Sequence, residues 1–145
     1  MKQWPRRIGT AVGIGLAWAV VWAPIAVVIG TLIVDPDNSM DEMWVVIGAY
    51  PGFLSAVIFF TVLTIAERAR RLGEVAIPRV AGWGALAGLI VGVLPVALGT
   101  QSPENPPWLG AVVIGSVTLL SAVSAVVSSV VARTARKREV QRPAF

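Results

Sequence analysis

The segment Gly84-Ala85-Leu86-Ala87-Gly88-Leu89-Ile90-Val91-Gly92 places three glycines four residues apart within an apolar run. At this spacing the glycines lie on one side of a helix and leave a flat groove along its backbone. A second helix can pack closely into such a groove, and repeated small residues at this spacing are a common means of helix association in lipid. The glycine triad (Gly84, Gly88 and Gly92) therefore predicts a membrane-spanning helix packed closely against another helix.

The composition of the whole chain indicates an integral membrane protein. Of its 145 residues, 56% are hydrophobic and 14% are charged, and the mean hydropathy is +0.76, which is not the balance of a soluble domain. Each long apolar run suffices for the ~20 residues that a helix needs to cross the bilayer core. Because the runs lack the alternating polar residues of β-barrel strands, we predict an all-α membrane protein, a bundle of four transmembrane helices in a single domain.

The predicted spans cover about 8–34, 43–66, 80–98 and 108–132, and a basic tail follows at 133–145. All 12 Lys and Arg residues lie at the N-terminus, in the connector after the second span or in the tail, whereas five of the 8 acidic residues lie in the other two connectors. By the positive-inside rule we expect both termini to be cytoplasmic. The expected location is the bacterial inner (cytoplasmic) membrane.

The chain contains neither cysteine nor histidine. This excludes disulfides, thiolate nucleophiles and imidazole bases, and with them the His ligands of most haems and bacteriochlorophylls. We predict no catalytic residue, no metal site and no required cofactor. We also predict no nucleic-acid binding, because the basic residues behind the net charge of +4 flank membrane spans, where topology accounts for them.

Trp18 and Trp22 lie one helical turn apart in the first span and point the same way. One interpretation is contact with lipid or with another helix. The alternative is a stacking face for a carotenoid or other pigment, a quinone or a neighbouring subunit. Trp18 and Trp22 are therefore the candidate residues for binding a lipid or a pigment.

Small residues recur in the other spans: Gly9 and Gly13 in the first, Gly48 and Gly52 in the second, and Ala111 with Gly115 in the fourth. The simplest interpretation is a compact four-helix bundle. A small-residue face that the bundle does not use would be a docking surface for another membrane subunit. The glycine triad has two alternative locations. It lies either in the seam between two related hairpins or on a face that docks a partner.

A weak repeat relates the two halves of the chain. Each half contains a proline, a Gly-Thr pair and a tryptophan in the same order: Pro24, Gly30-Thr31 and Trp44, then Pro95, Gly99-Thr100 and Trp108. The pattern is consistent with two related helical hairpins of the same orientation. Because Pro, Gly and Trp also recur independently at the ends of membrane spans, the repeat remains a hypothesis.

Three functions are compatible with these patterns. The first is a non-catalytic accessory or structural subunit of a larger membrane complex, of respiratory or photosynthetic type, with other membrane-protein subunits and membrane lipids as partners. The second is a small transporter or channel for an uncharged solute, with polar groups from Tyr50 and the serine stripe Ser121, Ser124 and Ser128. The third is a lipid-modifying membrane enzyme, which requires carboxylates that converge at one membrane surface. No charged residue lies inside a predicted span, which argues against an ion-coupled carrier.

Basic residues beside the spans predict contacts with anionic lipid head groups. These are Arg68, Arg70 and Arg71 in the middle connector and Arg136, Lys137 and Arg138 in the tail.

One segment of the chain resembles a stretch of small uncharacterised four-span bacterial inner-membrane proteins. The segment is Met40-Asp41-Glu42-Met43-Trp44-Val45-Val46-Ile47-Gly48-Ala49-Tyr50-Pro51-Gly52-Phe53-Leu54. The resemblance covers mainly the first hairpin and the third span. It implies the class of protein and brings no activity or binding residue with it.

Overall fold

A computed structural model describes residues 4–34, 37, 41–66, 72–100, 103 and 106–140. Within these ranges the chain forms four long helices, α1 (Trp4–Ile29), α2 (Asp41–Ala66), α3 (Ile77–Ala97) and α4 (Pro107–Val140). A π-helical turn, Gly30–Val34, extends α1, and a 3-10 turn, Leu72–Glu74, precedes α3. All four helices are long and apolar enough to cross a membrane. The prediction of a bundle of four transmembrane helices is confirmed.

Three helix ends differ from the predicted spans by three residues or more, and the first of them is the start of α1 at Trp4 instead of about residue 8. The third helix begins at Ile77, and Pro78 lies in its first turn, where the missing N–H of proline removes no helical hydrogen bond. The fourth helix continues to Val140, so that much of the predicted basic tail is helical. These differences lengthen the helices at one end of the bundle and leave the four-span layout unchanged.

The helices form two antiparallel hairpins. In the first hairpin, Gly48 of α2 lies against Ala26 of α1, and Gly52 lies against Trp22, so the two helices run in opposite directions. In the second hairpin, Gly84 lies against Ala125 and Gly92 against Ile114, so α3 and α4 are also antiparallel. The second helix packs against the third and joins the hairpins. All four helices contribute to one buried cluster.

The centre of the bundle holds aromatic and small side chains. Phe59, Val80 and Ala125 are fully buried, and Trp18 and Trp22 are nearly so. In lipid, helix association gains little from the hydrophobic effect, since lipid tails are as apolar as the side chains. Close van der Waals packing and interhelical hydrogen bonds therefore hold this core together.

The outside of the bundle is strongly apolar. Val20, Leu32 and Ile65 belong to different parts of the first hairpin, and their exposed fractions are 72%, 74% and 73%. Such side chains require an apolar surrounding, and the length of the helices matches the hydrocarbon core of a bilayer. The chain is a multi-pass membrane protein.

Candidate functional site

The glycine triad lies against the backbone of α4, and all three of its glycines are buried. A Cβ atom added at Gly88 would lie 2.6 Å from the carbonyl oxygen of Val117, and one at Gly84 would lie 2.6 Å from the Cβ of Ala125. Neither position has room for a side chain. The structure thus places the triad within the second hairpin, and not in the seam between the two hairpins.

Gly48 and Gly52 make the corresponding close contact in the first hairpin. A Cβ added at Gly48 would lie 2.6 Å from the Trp22 carbonyl oxygen and 2.6 Å from the Cβ of Ala26, and one at Gly52 would lie 3.0 Å from the Trp22 Cγ. Both glycines are buried. Two of the small-residue faces are therefore used inside the bundle, one in each hairpin.

The other small-residue faces stay open among the described residues. A Cβ added at Gly9, Gly13 or Gly115 would meet nothing within 4 Å. Gly9 and Gly13 form an exposed surface on the first helix, here named the α1 face. Gly115 and Ala111 belong to an open groove of about 610 Å³ between the third and fourth helices, here named the α3–α4 groove. Its lining is completed by Ala85, Leu89, Ile114, Thr118, Leu119 and Ala122.

Trp18 and Trp22 connect the first helix to the fourth. The indole N–H of Trp18 donates a hydrogen bond to Ser128 Oγ at 3.0 Å, and that of Trp22 donates to Ser124 Oγ at 2.9 Å. The exposed fractions of the two tryptophans are only 4% and 2%. We call these four residues the tryptophan–serine seam.

The tryptophan rings also stack within the protein. Their centroids lie 6.3 Å apart with an angle of 13° between the ring planes. Trp18 further stacks on Phe59 of the second helix at 5.7 Å. The rings thus contact other helices, and a pigment could stack on them only by displacing those contacts. Binding of a lipid or carotenoid stays a prediction.

The serine stripe is engaged in helix contacts. Besides accepting from Trp18, Ser128 Oγ donates to the carbonyl oxygen of Ser124 at 2.8 Å. Ser121 is fully buried, and its Cβ faces Gly88. Tyr50 is 66% exposed and therefore lies on the outside of the bundle. The structure does not bring Tyr50 together with the stripe.

The loop between the second and third helices is bonded to the end of α4. Arg133 Nη2 donates to the Val75 carbonyl oxygen at 2.6 Å, and Ser129 Oγ donates to that of Leu72 at 3.4 Å. The side chain of Val75 is buried beneath these bonds. The beginning of α3 and the end of α4 therefore lie at the same end of the bundle.

Three of the residues predicted to contact lipid head groups are described. Arg136 forms an ion pair with Glu74 at 2.6 Å, in which both side chains are largely exposed. Lys137 and Arg138 are exposed on α4. Arg68, Arg70 and Arg71 lie outside the described residues. The contact of these basic residues with head groups stays a prediction.

Carboxylates show no clustering among the described residues. Within that part of the chain, no three acidic side chains come close enough to share a metal ion. Asp37 is exposed, Asp35 lies outside the described residues, and the side chains of Asp41 and Glu42 are not described. The convergence of carboxylates that a lipid-modifying enzyme requires is thus not seen in the described part.

Two features of this site escaped the sequence interpretation. The first is the tryptophan–serine seam, for which a signal exists, because Trp18 and Trp22 have the same spacing of four as Ser124 and Ser128. Residues at that spacing on two antiparallel helices meet as two successive pairs. The second is the bond between Arg133 and Val75, which depends on the course of a loop and has no comparable signal.

Comparisons with models of protein families, with curated proteins and with solved structures gave no match to this chain. The resemblance of the segment around Trp44 to small four-span membrane proteins remains an expectation. The geometry of the helices and their outer surfaces are therefore the basis for a functional proposal.

Proposed function

We propose that the chain is a non-catalytic accessory or structural subunit of a larger bacterial inner-membrane complex, of respiratory or photosynthetic type. The observation that carries this proposal is the pair of small-residue surfaces that the bundle leaves open, the α1 face and the α3–α4 groove. Each would receive a helix of a neighbouring subunit.

The internal contacts support this use of the open surfaces. In this chain, small residues spaced by four let two helices approach until their backbones touch, as Gly88 shows against Val117. The same spacing joins Ala111 to Gly115 and Gly9 to Gly13 on the outside. A helix from another subunit would gain the same close packing there, and in lipid such packing is the main source of helix association.

The chemistry of the α3–α4 groove favours an apolar occupant. Its described lining consists of small and aliphatic side chains with a single hydroxyl. That hydroxyl, on Thr118, donates to the carbonyl oxygen of Ile114 at 2.7 Å. The groove therefore suits the aliphatic face of a transmembrane helix better than a polar solute.

The proposed orientation has both termini in the cytoplasm. Arg133, Arg136, Lys137 and Arg138 lie at one end of the bundle, together with Arg79 at the start of α3, because loop 72–75 is bonded to the end of α4. Basic residues concentrate on the cytoplasmic side of inner-membrane proteins. This clustering supports the proposed orientation and the bacterial inner membrane as the location.

Assembly in native membranes tests the proposal. The tagged full-length chain is extracted with a mild detergent and separated by native electrophoresis. We expect it to migrate with a large complex at fixed stoichiometry. Gly115→Leu is expected to release the chain from that complex, because its Cβ would meet nothing within 4 Å and the rest of the side chain would occupy the α3–α4 groove.

Ala97→Leu is the matched control, since it ends in the same side chain at an exposed position of α3 that lines neither groove. Gly13→Leu tests the α1 face in the same way. Thermal unfolding of each isolated variant establishes that the bundle is intact. Migration of the wild-type chain as a lone monomer or dimer would contradict the proposal.

A further inference from the structure

A second groove, of about 270 Å³, follows the outer side of the third helix. Arg79, Gly82, Trp83 and Leu86 line it. The last three residues follow Arg79 by three, four and seven positions. All four therefore lie on one side of α3, roughly opposite the glycine triad that faces α4. A Cβ added at Gly82 would meet nothing within 4 Å. The groove, here named the Arg79 groove, therefore faces the surrounding membrane.

The polarity of this groove changes along the helix axis. Arg79 lies in the first turn of α3, and Leu86 lies about 10 Å further along the helix, at 1.5 Å per residue. Between them, Trp83 is half-buried and packs against the core of the bundle. A cation at the end of the span, an aromatic ring and an aliphatic wall follow one another in the order of the groups in a phospholipid. A soluble anion would use only the first of these three groups.

The electrostatic surroundings favour an anionic ligand. The described end of the bundle that holds Arg79 also holds Arg133, Arg136, Lys137 and Arg138. Basic side chains near a membrane surface attract anionic lipids. Arg79 and Trp83 have other interactions within the protein, but a guanidinium carries five N–H donors and can serve a phosphate in addition to an internal partner.

The geometry points to a binding site for one anionic phospholipid in the Arg79 groove. The lipid phosphate binds the Arg79 guanidinium, and one acyl chain lies along Gly82 and Leu86 beside the Trp83 ring. The site selects for the charge of the head group through Arg79 and for a lipid chain through the open space at Gly82. It does not depend on the accessory role proposed above.

Lipid titration tests this site. The full-length chain is stripped of lipid in a non-ionic detergent and titrated with dioleoyl-phosphatidylglycerol or dioleoyl-phosphatidylcholine. Native mass spectrometry counts the bound lipids and gives the Kd of the first one. We expect the first phosphatidylglycerol to bind more tightly than the first phosphatidylcholine. Arg79→Gln is expected to weaken phosphatidylglycerol binding about fivefold, as for the loss of one basic side chain near a lipid surface.

Two further variants separate the groove from the general charge of this end. Arg138→Gln removes the same charge from an exposed position outside the groove and is expected to leave the first Kd nearly unchanged. Gly82→Leu fills the groove and is expected to weaken the binding of both lipids, while thermal unfolding shows an intact bundle.

Three results would overturn the assignment. These are equal Kd values for the two lipids, an effect of Arg79→Gln no larger than that of Arg138→Gln, and unchanged binding in Gly82→Leu. The lipid titration is also repeated in the presence of excess inorganic phosphate. Phosphatidylglycerol should remain bound in its presence, and its displacement would indicate a site for free anions instead.

Discussion

Replacement of Gly88 by alanine is expected to destabilise the protein, although alanine is the better helix former. The new Cβ would lie 2.6 Å from the Val117 carbonyl oxygen, 2.7 Å from the Ser121 Cβ and 2.8 Å from the Thr118 Cα. Two of these three atoms belong to the backbone and cannot rotate away. The third and fourth helices therefore have to move apart.

The size of the effect follows from this displacement. Ordinary van der Waals contact begins at 3.4 Å, so relief of the 2.6 Å contact requires a local separation of roughly 0.8 Å, which removes about a quarter to a half of the dispersion attraction across the contact. Overpacking of this kind costs ~1–3 kcal/mol, whereas a Gly→Ala change in a compatible helix gains ~0.4–1 kcal/mol. The expected net loss in the free energy of unfolding is ~1–2 kcal/mol.

Gly82→Ala provides the matched control on the same helix. Its Cβ would meet nothing within 4 Å, so we expect the free energy of unfolding to stay constant or to rise by up to ~1 kcal/mol. Unfolding by sodium dodecyl sulfate in mixed micelles, followed by circular dichroism, measures both variants. If Gly88→Ala were as stable as Gly82→Ala, the close α3–α4 contact described here would be wrong.

Two further predictions use the same unfolding assay. Trp22→Phe is expected to lose the indole bond, ~0.6 kcal/mol, in addition to the packing of the buried ring, and a double-mutant cycle with Ser124→Ala should give a coupling energy of ~0.6 kcal/mol. Arg133→Gln is expected to cost ~1.5–3 kcal/mol, because it removes a charged donor from a loop carbonyl. Glu74→Gln breaks an ion pair whose partners are both largely exposed and should cost under ~1 kcal/mol, less still at high salt. Equal costs for Arg133→Gln and Glu74→Gln would contradict this assignment.

The number and type of the helices could be predicted because the thickness of the bilayer sets the length of an apolar run. The extension of the fourth helix could not be predicted in this way. Four of residues 133–138 are charged and end the apolar run, yet all of the six except Thr134 are Arg, Lys or Ala, which favour helices. Hydropathy therefore predicts where the membrane span ends, whereas helix propensity determines how far the helix continues beyond it.

The partner of the glycine triad was harder to infer than its packing. A flat groove accepts any helix with small side chains, so the spacing of Gly84, Gly88 and Gly92 does not identify the neighbour. Connectivity carries more information, because a short connector makes consecutive helices antiparallel neighbours. On α4, Ser121 and Ala125 supply small side chains at Gly88 and Gly84, whereas Gly92 lies against the backbone of Ile114.

Each hairpin consists of two consecutive antiparallel helices, but the glycines that pack against the partner backbone lie on different helices in the two hairpins. In the first hairpin the glycines belong to the second helix, as Gly48 and Gly52 show, whereas in the second hairpin the triad belongs to the first helix. The repeated order of proline, glycine and tryptophan is therefore not accompanied by a repeated interface. The hypothesis of two related hairpins gains no support from the positions of these glycines.

Close backbone contact at these glycines is confined to the interior of each hairpin. Between the hairpins, contact relies on larger buried side chains such as Phe59 and Val80 and on the indole–serine hydrogen bonds. Gly13 of the α1 face and Gly115 of the α3–α4 groove take part in neither kind of contact, since a Cβ added at either would meet nothing within 4 Å. We therefore expect substitutions at these two glycines to perturb the proposed docking without disturbing the contacts that hold the four helices together, so that assembly and stability can be measured separately.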